Sequence, residues 1–400
     1  YHITEGPTMR VITKFGGTSL GSGERIDRAA DSVAAVADAG HEIAVVASAM
    51  GDTTDELLDA IAFDATDRDE AEIVSMGERT SVRLLKAALA SRGIDATFVE
   101  PGHPDWPIVT NERGEVLPEE TRRRARALSE KLGETVPILT GFLAEDPEGN
   151  TTTLGRGGSD TTAVMLGQYM DADQVVIVTD VEGVMTGDPN VVEGAQNVGE
   201  ITVDELRNLS FRGAEVVAPS ALSYKDDDLT VRVIHYQHRD ILSGGTKIEG
   251  KFEHMVDMRE DPLSCLTVAG RSIRTTPGIL HTLSGALYEA GINVDAVASG
   301  MDSITVYVDK DRAQTAETVL HDKVISNNTL SSVTVSDDVA VIRVLGTEFP
   351  DRPGVVSGIV SPISEANINL VDVITSATSV AIFVPWADRE AALEIVQEAF

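Results

Sequence analysis

Lys14 stands at the end of an apolar, β-branched run and is followed by two glycines in VITKFGGTSLGSGERI, residues 11–26. Without a Cβ in the way, the backbone N–H groups of Gly16 and Gly17 can close on phosphate oxygens. The ammonium adds a point charge whose value grows as a transferring phosphoryl group spreads its charge. The order differs from a Walker loop, in which the lysine follows the glycines. An ordinary strand and turn would use the same residues, so this stretch alone does not settle the chemistry.

A second glycine-rich stretch, TTTLGRGGSD at 151–160, leads into the helix-like TTAVMLGQYM. Glycines ahead of a helix N-terminus make an anion site by geometry and dipole. Arg156 offers a rigid fork that can hold a carboxylate by two hydrogen bonds. Asp160 is placed to orient Lys14 or to reach the metal side of bound phosphates, and a capped surface loop is the plainer alternative. The third cluster, TDVEGVMTGDP at 179–189, follows the apolar run QVVIVTD. Polar groups emerging where parallel strands end sit where open α/β sheets bind ligands, and three such ends in one domain form one crevice.

These loops need a scaffold of strands and helices. From residue 10 to 250, short β-branched runs (VITKF, EIAVVASA, TFVE, VPILTGF, QVVIVTD, VRVIHY) alternate with helical stretches such as RIDRAADSVAAVADAG and SVRLLKAALASRG. The last two end at Gly40 and Gly93, as helix C-caps do. The pattern predicts an α/β domain over 9–250 with a mainly parallel sheet covered by helices. Beyond SGGTKIEGKFEHM the texture changes. Two segments, opening at SCLTVAG and VAVIRVL, each run strand, Pro-Gly turn, helix, an IN step into a strand, another strand and a helix. That order, βαββα, is one strand short of a ferredoxin-like unit, and its recurrence at matching offsets marks a duplication. The expected divisions are 251–330 and 331–400, and 251–270 is a candidate source of a strand shared with the second.

Four hundred residues are too many for one ordinary core. The formal net charge is −33, and only 8 of the 32 basic residues are Lys. Such a surface repels nucleic-acid phosphates and anionic lipid, which excludes both as main partners. Acidity spread along the whole chain is expected of a surface kept soluble at high salt, a halophilic trait. Cys265 is the lone cysteine, so no disulfide forms within one chain and a reducing cytoplasm fits. No apolar run approaches the ~20 residues that cross a bilayer, and no signal peptide is evident. YHITEGPT, ahead of Met9, is expected to be an upstream extension outside the fold.

KFGGTS, SMGERTSVRLLKAAL, TLGRGGSD, TDVEGVMTGDP and the two C-terminal repeats together resemble the aspartate kinases, a branch of the amino acid kinase family with tandem ACT domains. The resemblance runs from Met9 to Phe400. It implies a three-layer sandwich with a mainly parallel sheet, followed by two ferredoxin-like βαββαβ ACT domains. The implied activity is transfer of the γ-phosphoryl of MgATP to the side-chain carboxylate of L-aspartate, with ATP and Mg2+ as cofactors and no dedicated protein metal site. Such a step opens lysine, threonine, methionine and isoleucine synthesis. The nearest enzyme alternative is another carboxylate kinase of the family. A silent amino-acid sensor using the ACT pair and a nucleotide monophosphate kinase are further ones.

The same resemblance assigns roles. Lys14, Phe15, Gly16 and Gly17 would meet the ATP phosphates, and Ser159 and Asp160 would line the path of transfer. Thr53 of SAMGDT and Glu78 would bind aspartate, Glu78 at its ammonium, while Arg156 grips its α-carboxylate. Thr179, Asp180, Met185, Asp188, Arg239 and Asp240 map to nucleotide contacts. Met185 and Asn190 depart from the residues common in the family, as does VAP at 217–219. In the first repeat, Gly278 after Pro277 would open a helix toward an effector's carboxylate and Asp295 would meet its amine, the effector being lysine or threonine. A homodimer or homotetramer is implied. An attacking carboxylate is already anionic at neutral pH, its unperturbed pKa being ~4, so no general base is required and catalysis rests on positive charge and alignment.

Overall fold

The structure is a computed structural model that describes residues 7–399 apart from 112–113, 190, 211–215, 252–254, 347–353 and 377. Asn190 and Pro353, the proline of the second Pro-Gly turn, lie outside the described residues. The chain forms two compact units, Tyr1–Phe252 and Glu253–Phe400.

In the first unit, β1 (Arg10–Phe15), β2 (Glu42–Ala47), β3 (Ala96–Val99), β4 (Val136–Thr140), β7 (Gln174–Thr179), β8 (Glu200–Thr202), β9 (Thr230–His235) and β10 (Thr246–Glu249) form one sheet. Among the described residues its order is β3-β4-β2-β1-β7-β9-β10-β8. Every pairing is parallel except that of β10 with β9. A small antiparallel hairpin, β5 (Leu143–Glu145) and β6 (Thr151–Thr153), stands apart from it.

Strand residues alternate between two cores, as the period-2 geometry requires. On β2, Ala44 and Val46 enter one core, with Ala163 and Leu166 of α5 (Gly158–Tyr169) and Leu128 of α4 (Pro118–Ser129). Ile43, Val45 and Ala47 enter the other, with Val33 of α1 (Gly23–Asp38) and Leu85 of α3 (Asp67–Ala90). Three shorter helices, α2 (Thr53–Ala60), α6 (Val203–Ser210) and α7 (Pro219–Leu222), complete the unit. The result is the helix, sheet, helix sandwich the sequence pattern predicts. Helix ends follow local chemistry: Ser22 caps α1 by accepting from Arg25 N, and Gly40 and Gly93 take the positive φ angles (84° and 76°) that close α1 and α3.

The second unit resolves the strand each repeat lacked. Repeat one holds β12 (Leu263–Gly270), α8 (Ile279–Glu289), β13 (Ala296–Ser299), β14 (Ser303–Asp309) and α9 (Ala313–Ser326). Repeat two holds α10 (Val355–Glu365), β16 (Asp372–Thr375), β17 (Ser379–Pro385) and α11 (Arg389–Ala399). They share β15, the 16-residue strand Leu330–Leu345, whose first half pairs β12 and whose second half pairs β17. Residues 330–336 therefore complete repeat one, and 331–336 lie beyond its expected limit. Repeat two takes its last strand from β11 (Met255–Met258), which precedes repeat one in the chain and pairs Ile342 to Leu345. Each half then has the ferredoxin-like strand order, and one repeat is inserted within the other.

The strand order puts β12 and β15 between β14 and β17, yet Tyr307 of β14 and Phe383 of β17 stack at 4.1 Å between ring centroids. Strands three positions apart in a flat sheet would be about 14 Å distant. The sheet must therefore fold on itself, so that its helix-free faces meet around Tyr307, Phe383, Leu263 and Val341. The bend falls in β15, where Asp338 has φ 63° and the pairing with β12 shifts register. Tyr307 also donates to Asp372 Oδ2 at 3.0 Å, so its buried hydroxyl is satisfied. Phe383 is wholly buried. Its replacement in Phe383→Ala should cost about 3–5 kcal/mol of this unit's stability, read as a lowered denaturation midpoint; a loss under about 1 kcal/mol would rule out face-to-face packing at this ring.

Candidate active site

The loops that follow the parallel strands meet at one end of the first sheet, and glycines let them meet. A Cβ on Gly17 would lie 2.9 Å from Gly51 O and 3.0 Å from Ala49 O, closer than side chains tolerate. Gly51 N donates to Gly17 O at 2.9 Å and Ser48 N to Phe15 O at 3.1 Å, so the loop after β1 is laced to the loop after β2. On the other flank, Gly16 N donates to Val178 O at 3.1 Å, which places Lys14, Phe15, Gly16 and Gly17 beside Thr179. Gly77 of α3 presses on Ala49, where a Cβ would come within 2.6 Å of the Ala49 methyl and 3.6 Å of Thr53 Cγ2. Gly141 after β4 leaves room for Ser159, whose Oγ would be 2.6 Å from a Cβ there.

Charges gather in this crowded corner. Lys14 Nζ pairs with Asp160 Oδ1 at 2.6 Å, both side chains largely buried. Asp160 Oδ2 accepts from Ala218 N at 3.1 Å, which orients the carboxylate. That link depends on Gly157, which has φ 74° and on which a Cβ would sit 2.3 Å from the Ala218 methyl. Asp160 lies in the first turn of α5, where the helix dipole favours a negative charge. Ala218, in the VAP departure, thus contributes its backbone N–H, which any residue except proline supplies.

Glu78 is 3% exposed. Ala49 N donates to its Oε1 at 3.2 Å, while Oε2 is buried with no partner among the described residues. Burial pushes its carboxyl up to about 7, against a smaller opposing pull from the Glu78 and Ala49 N–H groups. A buried carboxylate with one oxygen unmatched can accept a cationic or hydrogen-bonding partner. Thr53 opens α2 beside it and donates its hydroxyl to Met50 O at 2.6 Å. Arg156 is exposed on the loop between β6 and α5 and has no partner among the described residues. Lys14, Thr53, Glu78, Ser159 and Asp160 are thus gathered by the interlocked loops, with Arg156 on the adjoining glycine-rich loop.

The remaining predicted residues lie further along the strand ends. Thr179 Oγ1 donates to Asp180 Oδ1 at 3.3 Å, and Tyr236 N donates to Thr179 O at 2.8 Å, joining the loops after β7 and β9. Met185 bridges to Asn197, and the exposed Asp188 accepts from Val192 N at 2.7 Å through its carbonyl. Arg239 and Asp240 are exposed in the β9–β10 connection. Both Asp240 oxygens are engaged within that turn, by Leu242 N at 3.0 Å and Ser243 Oγ at 2.6 Å. The second unit holds Gly278 and Asp295. Gly278 has φ 85°, precedes α8, and lines a cleft with Arg274, Val297, Ser299 and Met301. Arg259 and Arg343 hold the two oxygens of Asp295 at 2.9 and 2.6 Å, and Arg259 also bonds Asp309.

Sequence reasoning missed Gly77, Gly141 and the backbone of Ala49 and Ala218 as parts of the site. Gly141, directly after the buried run VPILT, carried a readable signal: a glycine where a central strand ends. Ala218 carried none, because its contribution is a main-chain donor.

The profile of the amino acid kinase family matches residues 9–235, and those of two ACT domain families match 266–324 and 334–398. An aspartate kinase of Pseudomonas fluorescens is 31% identical over 98% of this chain and 97% of its own length. The crystal structure of an aspartate kinase from Synechocystis superposes with a TM-score of 0.80 at 26% identity, covering 98% of this chain and 69% of that one. Aspartokinase III of E. coli, solved with aspartate and ADP, gives a TM-score of 0.54 at 25% identity, over 98% of this chain and 99% of that one. The same enzyme solved with lysine and aspartate gives 0.54 at 26%, over 97% and 98%. By profile, full-length identity and fold alike, the chain belongs to the amino acid kinase family, among its aspartate kinases that carry two ACT domains.

Proposed function

We propose that this chain transfers the γ-phosphoryl group of MgATP to the β-carboxylate of L-aspartate, giving 4-phospho-L-aspartate, the first step of lysine, threonine, methionine and isoleucine synthesis. The observation that carries the reading is the buried Lys14–Asp160 pair 2.6 Å apart at the mouth of the parallel sheet, beside the buried, half-satisfied carboxylate of Glu78. Two anions must meet in line, so the site has to neutralise rather than deprotonate. Lys14 and the amides of Gly16 and Gly17 take the phosphate charge as it spreads. Asp160 fixes the lysine and is the residue here that would hold Mg2+. That ion, when bound, would supply positive charge to the phosphates.

Acceptor binding is assigned to three groups. Glu78 receives the α-ammonium of aspartate, Arg156 folds over the α-carboxylate as a two-pronged donor, and Thr53 completes the acceptor pocket. Ser159 lines the transfer path. Thr179, Asp180, Met185, Asp188 and Arg239 form the nucleoside wall, and Asp240 shapes the turn beside it. For control, we assign an amino-acid effector, lysine or threonine, to the cleft at Gly278; the lysine complex of the E. coli relative supports this, while the ion pairs of Asp295 leave the amine to other groups. A homodimer or homotetramer, a cytoplasmic location and a high-salt habitat belong to the same proposal, the last on the net charge of −33.

Aspartate-dependent ADP release with hydroxylamine trapping of the acyl phosphate tests the whole reading; turnover with glutamate or N-acetylglutamate instead would reassign the acceptor, and effector binding without turnover would make the chain a sensor. Lys14→Met should lower kcat by about 10²–10³, with little change in aspartate KM, because its charge matters most in the transition state. Arg156→Lys should raise aspartate KM by roughly tenfold or more, since a point charge cannot reproduce the fork.

Glu78 yields a pH test. Its folded pKa of about 7 lies above the ordinary value of 4.5, so the folded state holds this proton more tightly than the unfolded one. Stability is therefore lost as pH rises from about 4.5 to about 7 and the loss levels off above that. Aspartate binding requires the ionised form, so kcat/KM for aspartate should climb through about pH 7. Glu78→Gln should flatten that climb, bind aspartate poorly, and narrow the difference in melting temperature between pH 5 and pH 8. A wild-type profile flat from pH 6 to pH 8 would contradict it.

A further inference from the structure

Arg79 is the residue next to Glu78 on α3, and it turns away from the site. Its side chain is 17% exposed and each nitrogen is engaged: Nε donates to Ser75 Oγ at 3.0 Å, one terminal nitrogen pairs with Glu100 at 3.0 Å, and the other donates to Thr151 Oγ1 at 3.1 Å. Ser75 lies one turn earlier on α3, Glu100 directly follows β3, and Thr151 begins β6. Thr151 is itself 3% exposed. The guanidinium is thus a three-way joint between helix, sheet and the β5–β6 hairpin.

That hairpin leads straight to the acceptor clamp. After Thr151–Thr153 the chain passes Leu154, whose N donates to Phe142 O at 2.8 Å, then Gly155 at φ 73°, and reaches Arg156. Among the described residues the Arg79–Thr151 bond is the hydrogen bond that ties α3 to β6. Helix α3 therefore reaches both sides of the acceptor: directly through Glu78, and at one remove through Arg79, Thr151 and the strand that carries Arg156. Successive helical residues point about 100° apart, so adjacent positions can serve these two directions.

We infer that Arg79 is a positioning residue for the acceptor site, setting the distance between the ammonium receptor Glu78 and the carboxylate clamp Arg156, and so the length of amino acid accepted. The inference rests on the assignment of Glu78 and Arg156 to aspartate. Arg83 separates this role from charge balance: it holds Glu100 by two bonds of 2.7 and 2.8 Å, so Glu100 stays paired when Arg79 is removed.

The test compares Arg79→Met, Thr151→Val, their double variant and Arg156→Lys in the full chain, with melting temperatures and separate KM values for aspartate and ATP. Arg79→Met and Thr151→Val should each raise aspartate KM about fivefold or more, with ATP KM and kcat within about twofold, as loss of one orienting bond implies. The double variant should be no worse than the poorer single one, because both break the same link. It should also melt higher than Arg79→Met, since it no longer buries an unpaired hydroxyl, while aspartate KM stays high. Thr151→Val keeps the test open should Arg79→Met fail to fold. An unchanged aspartate KM in Arg79→Met or Thr151→Val, or equal rises for both substrates, overturns the inference while Arg156→Lys still behaves as assigned. If Arg156→Lys also leaves aspartate KM unchanged, the assignment of the acceptor site falls, and the inference with it.

Discussion

The site depends on backbone approaching backbone. At Gly17 the chain passes so near Ala49 and Gly51 that a single methyl group would meet two carbonyl oxygens at about 3 Å. At Gly77, Gly141 and Gly157 a Cβ would instead run into the side chains of Ala49, Ser159 and Ala218, each from a different segment. Five loops from non-consecutive strands and helices are thereby locked at fixed spacing, so charged side chains that sequence scatters from residue 14 to residue 160 share one corner. Glycine weakens a regular element because it loses more backbone freedom on folding. Here it is placed where no other residue allows the contact.

Within that corner, charge is distributed against the trend of the molecule. A chain with a net charge of −33 repels ATP and aspartate at long range, although salt confines the repulsion to within a Debye length of about 8 Å at physiological strength. Attraction must come from short-range donors held in place in advance. The Lys14–Asp160 pair is such a device: the lysine keeps a partner while the site is open, and the carboxylate is steadied by Ala218 N–H and by the start of α5. An unpaired buried ammonium would be costly, whereas a paired one can be re-shared with an arriving phosphate.

The sequence was most informative where one residue type permits one geometry. Gly40 and Gly93 announced the ends of α1 and α3, and the buried run QVVIVT announced a central parallel strand. The residues of KFGG and GRGGSD could be joined into one site because each glycine pair follows or precedes a recognisable element. The interleaving of the two repeats was legible only as a strand from 251–270 that the second repeat could share; its partner and register were not, because β15 reads as one continuous strand and nothing local to Met255–Met258 names Ile342 to Leu345. Pairing between segments some eighty residues apart is a property of the assembled sheet. The ion pairs of Asp295 were hidden for a related reason: nothing local to an aspartate after an IN step names Arg259 and Arg343 as its partners.

If Glu78 receives the acceptor's ammonium as proposed, stability and acceptor binding pull in opposite directions here. A carboxylate 3% exposed, with one oxygen unmatched, makes the empty folded state less favourable at neutral pH than a neutral isostere would. An α-ammonium entering the site supplies the missing partner in a place from which water is largely excluded, where a charge pair is worth more than at the surface. Selectivity follows from the same penalty: a carboxylic acid without an amine leaves Glu78 unmatched and gains nothing from it. On the proposed assignment, the cost of the buried charge would be cancelled only by a ligand that carries an ammonium at the correct distance from a carboxylate held by Arg156.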